Sequence, residues 1–166
     1  MRTMLNSVRD RREHEEGFTL IELMVVVLII AILIAIAIPT FLGARDSAND
    51  RAAQSSLRNG LTAAKTLYTD QGDWSTATTA ALEGVEPSLT FPAAASDGAK
   101  VVSFAVVTGY QTIGLAALSK TGDCFYIRDT AVATGAYTVG TFYGKGASTA
   151  CTGTAASAAT VEGASW

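Results

Sequence analysis

The sequence predicts an α+β fold. One long N-terminal helix, fit to span a membrane in its first half and amphipathic in its second, lies against a four-stranded antiparallel sheet. Three observations predict it. Residues Leu23 to Ile38 read LMVVVLIIAILIAIAI, with no charge and no polar side chain. From Ala44 to Tyr68 the residues Ala44, Ala48, Leu57, Leu61, Ala64 and Tyr68 recur mostly at three- and four-residue steps, which is one stripe of a helix. From Val102 to Tyr143, β-branched and aromatic residues alternate with smaller or polar ones in four short runs, the period of strands.

Met1 to Glu16 is polar, of mixed charge, and reads as a short leader. Arg2, Arg9, Arg11 and Arg12 precede the apolar run, while Arg45, Arg51, Arg58 and Lys65 follow it. The positive-inside count is therefore tied and leaves orientation open. Phe18 to Leu42 is 25 residues, and about 20 apolar residues at ~1.5 Å each cross a bilayer core. Glu22 is the one charge in it. A carboxylate there costs on the order of a few kcal/mol at the membrane centre and less near the interface. It calls for a cation: a leader arginine, or an amine made by cutting the chain ahead of Phe18. An ordinary secretory signal cut near Ala35-Ile36-Ala37 is a second reading. The length of the apolar run and Pro39 speak against it.

Pro39 removes a helical hydrogen bond and Gly43 weakens the helix further, so a kink or loosening is expected there. The amphipathic stretch ends at Asp70-Gln71-Gly72-Asp73. Ser75 is positioned to cap a short helix, Thr76 to Leu82, closed by Gly84 and Pro87. The rest, to about Lys100, reads as connecting loop. The strands centre on Val102, Phe104 and Val106; on Ile113, Leu115 and Ala117; on Phe125 and Ile127; and on Tyr137, Val139, Thr141 and Tyr143. Gly109, the Lys120 to Asp123 stretch and Gly135 mark turns. Gly144 to Trp166 is rich in Gly, Ala, Ser and Thr and reads as a loose tail.

Composition narrows the function. The chain has 166 residues, 12 Lys and Arg, 15 Asp and Glu and a formal net charge of -3. That argues against nucleic-acid binding driven by bulk charge. The one histidine, His14, is in the leader, which leaves the rest without histidine-based triads or zinc sites. Cys124 and Cys151 fit no CxxC motif. They read as a disulfide, if exported to an oxidising compartment, or as two buried thiols. There is no phosphate loop of the GxxxxGK type. Asp123 with Asp129, or Glu83 with Glu86, pair as catalytic carboxylates only on paper, against the plainer reading of solvated turn acids. Asp70 and Asp73 form a weak calcium motif. No enzyme activity, cofactor or metal is expected. Tyr110 and Trp166 suit adhesion or core cover equally.

Gly17-Phe18-Thr19-Leu20-Ile21-Glu22-Leu23, followed by an apolar helix containing Pro39, resembles the N-terminus of type IV pilins and the related type II secretion pseudopilins. The likeness is close from Gly17 to about Leu42 and looser to about Tyr68. It implies a leader at residues 1–17, removed by a prepilin peptidase that cuts between Gly17 and Phe18, and N-methylation of Phe18. Glu22 would meet the terminal amine of a neighbouring subunit during assembly. Residues 18–42 would be the transmembrane and filament-core half of the helix. Residues 43–166 would be the globular pilin domain: amphipathic helix 43–70, connecting loop 71–100, and sheet with a tail pinned by Cys124 and Cys151 over 101–166. In pilins such a disulfide loop often forms an exposed surface.

Two positions depart from the pattern. Glu16 stands where Lys or Arg is common. Ala31 stands where many members carry a helix-loosening glycine, which confines melting to Pro39 and Gly43. The resemblance implies a homo-oligomeric helical filament, with a prepilin peptidase, a platform protein, assembly ATPases and minor pilins as partners. The subunit would wait in the cytoplasmic membrane, C-terminus outside, and end in an extracellular fibre for motility, adhesion or DNA uptake. The alternatives are a pseudopilin and a membrane-anchored binding module that never polymerises.

Overall fold

Helix α1 runs from Leu20 to Gln71 without a break at Pro39 or Gly43. The computed structural model describes residues 17–147, 151–158 and 160–166; residues 1–16 of the expected leader, with His14 and the four arginines, lie outside the described residues. The chain divides into two units, Met1–Gly43 and Ala44–Trp166.

In the second unit four strands follow the helix: β1 (Val102–Val106), β2 (Thr112–Leu118), β3 (Asp123–Thr130) and β4 (Gly140–Ala147). They form an antiparallel sheet in the order β1-β2-β3-β4. Phe104, Leu115, Ile127 and Tyr143 lie in one row across it. This face meets Ala53, Leu57, Leu61 and Ala64 of α1 in the main core. The alternation that marked the strands is thus the alternation of a sheet with one face on a helix.

The stripe on α1 begins later than expected. Ala44 and Ala48 are exposed, and burial starts at Ala53. Residues 71–100 contribute more than a connection. Trp74, Leu82, Leu89 and Phe91 are buried in the same core. The Trp74 indole Nε1 donates to the Ala64 carbonyl at 3.2 Å. Gly60 leaves room for the Phe91 ring, which a Cβ there would approach to 3.2 Å. The short helix, α2 (Thr79–Val85), is capped by Thr78, whose hydroxyl accepts from the Ala81 N–H. Ser75 does not cap it; the Ser75 N–H is held by Asp73 at 2.8 Å instead.

The fourth strand is also displaced. Tyr137 and Val139 fall before it, Tyr137 in an isolated bridge with Thr134. The strand continues through Gly144-Lys145-Gly146. The two glycines lie under the Tyr126 ring, which a Cβ at Gly146 would reach at 2.8 Å. A large ring on β3 thus turns a glycine-rich segment into a strand.

The tail is not loose over its described part. Helix α3 (Gly153–Ala156), capped by Thr152, packs on the second face of the sheet. Cys151, Ala156 and Val161 join Ala116, Cys124 and Tyr126 in a smaller core. A Cβ on Gly153 would meet the backbone of Phe104 and Ala105, and one on Gly114 the backbone of Gly153 and Ser157. Gly163 then pairs with Tyr143 at the edge of β4. Trp166 covers Phe125 and Tyr143 edge-on, lies under the Arg58 guanidinium at 4.9 Å, and donates its indole N–H to the Tyr126 carbonyl. Of the two readings of Trp166, the structure favours core cover.

Candidate functional site

The candidate site is the start of α1. Gly17, Phe18 and Thr19 precede the helix and are exposed. The Thr19 hydroxyl accepts the Glu22 N–H at 3.2 Å, and the Thr19 carbonyl accepts the Leu23 N–H at 3.2 Å. Thr19 is therefore the N-cap and Glu22 the third helical residue, the T-x-x-E spacing of a capping box. The T-x-x-E spacing of Thr19 and Glu22 is itself a signal of this cap in the sequence. Glu22 is exposed, and its charge favours the positive end of the helix. Among the described residues, its carboxylate has no hydrogen-bond or ion-pair partner.

Behind it, every large apolar side chain from Phe18 to Leu42 is exposed, from 47% at Val26 to 82% at Phe18. A contiguous apolar surface of this extent requires lipid or protein around it. The segment is long and apolar enough to cross a bilayer once. At Pro39 the ring removes one helical N–H, and next to it the Thr40 hydroxyl donates to the Ile36 carbonyl at 3.2 Å. A Cβ on Gly43 would meet open space.

The second unit carries the other expected residues. Cys124 on β3 and Cys151 ahead of α3 form a disulfide with Cα atoms 5.5 Å apart. Both are fully buried, so the bond itself lies in the smaller core. The carboxylate pairs do not form acid–base dyads. Asp123 and Asp129 sit at opposite ends of β3, roughly 20 Å apart at ~3.3 Å per residue. Asp123 pairs with Lys145 at 2.8 Å, and that hydrogen bond raises the lysine above its usual range. Asp129 pairs with Lys65 at 3.0 Å and accepts the Thr141 hydroxyl. Glu83 accepts the Phe91 N–H and Glu86 the Ser88 hydroxyl. Asp73 is held below the usual carboxylate range by Ser75.

Asp50 carries a contact that the sequence does not announce. Its Oδ1 accepts hydroxyls from Ser119 and Thr121, each at 2.6 Å, tying α1 to the β2–β3 turn. Partial burial pushes this carboxyl up, but the two hydroxyls and the Lys145 charge outweigh that and hold it low.

No curated protein and no solved structure matches the chain. One family does: the prokaryotic N-terminal methylation motif, over residues 13–38. That stretch includes Gly17, Phe18, Thr19 and Glu22 and runs to the residue before Pro39. The chain therefore carries the class III signal of type IV pilin-like prepilins, ahead of an α+β unit of helix on antiparallel sheet.

Proposed function

We propose that this chain is a structural subunit of a type IV pilus. A prepilin peptidase cuts between Gly17 and Phe18, and the new Phe18 amine is methylated. The subunit waits as a single-pass membrane protein with its C-terminus outside. It is then drawn by a platform protein and assembly ATPases into a filament of its own copies, joined by minor pilins, that ends outside the cell. Residues 18–42 line the filament core, and the sheet and tail face outward.

The observation that carries this reading is the exposed apolar surface from Phe18 to Leu42, with Glu22 the one charge in it and, among the described residues, unpaired at its start. In hydrocarbon, an amine and a carboxylate paired together cost less than the same two charges apart. A subunit arriving at the filament base pairs Glu22 with its neighbour's Phe18 amine. Passing from lipid into a helix bundle leaves the apolar side chains in a similar environment.

The test is the intact mass of the protein in material sheared from the cell surface, with and without reductant. The expected mass is that of Phe18 to Trp166 plus one methyl group, with a gain of two hydrogens on reduction. A mass starting near Ile38, or an intact leader found only in membranes, would overturn the reading. Short periplasmic fibres in place of surface ones would assign the chain to the pseudopilins.

A further inference from the structure

We propose that the guanidinium of Arg128 is a binding site for one carboxylate, taken by the free Nε and Nη2 donors beside the rings of Phe142 and Tyr137. Arg128 is fully buried on the second face of the sheet. Its Nη1 donates to the Ala158 carbonyl at 3.2 Å. The guanidinium carbon lies 4.5 Å from the centre of the Phe142 ring and 5.6 Å from that of Tyr137. Nε and Nη2 are buried and have no hydrogen-bond partner among the described residues. No carboxylate there forms an ion pair with Arg128; the two ion pairs join Lys65 to Asp129 and Lys145 to Asp123.

A guanidinium stays charged at any ordinary pH. A buried charge is costly unless it is paired, and two unfilled donors add their desolvation. Nε–H and Nη2–H point the same way from one edge of the plane. That edge matches the two oxygens of a carboxylate in a bidentate pair. The two rings lie within cation–π reach of the guanidinium carbon and supply Nε–H and Nη2–H with no pair of acceptor oxygens. Tyr137 belongs to the β3–β4 connection, where residues 132–136, 138 and 139 are exposed and Thr134 and Tyr137 share two backbone hydrogen bonds. The carboxylate is that of a small free acid or of a side chain on a second copy; both present the same two oxygens. The site stands or falls independently of filament assembly.

The test follows the Arg128 Nε–H resonance in the full-length chain, labelled with 15N-arginine and held in detergent micelles. Arg128→Lys, which keeps the charge and loses the fork, identifies the signal by its disappearance. Sodium acetate is titrated against sodium chloride at equal ionic strength. The expected result is a saturable downfield shift with acetate alone, with solvent exchange slowed by roughly tenfold or more, the scale of a charge-assisted hydrogen bond. The same change on raising protein concentration without acetate would place the carboxylate on a second copy. A signal that moves with neither, or equally with chloride, would overturn the site. If Arg128→Lys fails to fold, site-selective labelling of the wild-type chain assigns the resonance and the titration stands.

Discussion

Glu22 and Asp50 are two carboxylates on one helix in opposite situations. Glu22 has its backbone N–H held by Thr19 and its side chain open. Its proposed partner is an amine on another molecule, so Glu22→Ala removes assembly without touching the fold. We expect fibre yield in the sheared fraction to collapse while the membrane fraction keeps its protein. Unchanged fibres would refute the role. Asp50 is satisfied within the chain by Ser119 and Thr121. Its folded pKa lies below the unfolded one, so its contribution is present above the unfolded pKa and is lost as pH falls through the folded value. Asp50→Asn should cost about 1 kcal/mol at neutral pH, the net worth of a partly exposed hydrogen-bonded pair. It should also flatten the acid limb below about pH 4. Melting curves across pH check both, and parallel curves for the two proteins would show that Asp50 is not the titrating group.

At the scale of elements, α3 and the segment before it depend on the disulfide. Four residues make too short a helix to stand alone. Gly153 and Gly114 let it sit directly on β1 and β2, and Cys124–Cys151 closes a loop of 27 residues beneath it. Loop closure of that size is worth about 3.6 kcal/mol in the chain-entropy model. Replacing both cysteines by serine should lower the free energy of unfolding by about 3–4 kcal/mol in a urea titration. It should also raise amide exchange at Ala156, whose N–H bonds the Thr152 carbonyl. An unchanged midpoint would mean that packing, not the bond, holds the tail.

For the whole molecule, the decisive division is between what each unit buries. All the residues of both cores lie in Ala44–Trp166, while the large apolar side chains of Phe18–Leu42 are exposed. The first segment thus adds nothing to either core and leaves its apolar surface to be covered from outside the fold. A fragment from Ala44 to Trp166 should fold and sediment as a monomer without detergent, and the full chain should require detergent or form polymers. Circular dichroism and sedimentation would show both, and a fragment that aggregates or fails to fold would contradict the division.

The sequence by itself determined the long helix, three of the four strands and the Gly17-to-Glu22 motif at the candidate site. Each rests on a local signal: an uninterrupted apolar run, a period of two, and a motif whose spacing coincides with a helix cap. Tertiary structure decided the rest, because those features depend on residues distant in sequence. Gly144 and Gly146 are strand because Tyr126 covers them. The tail is ordered because glycines at 114 and 153 admit α3 and Cys151 meets Cys124. Trp74 and Phe91 are core because Ala64 offers a carbonyl and Gly60 a gap. The burial of Arg128 belongs with these: a charge on a strand reads as solvated until the fold closes Phe142, Tyr137 and Ala158 around it.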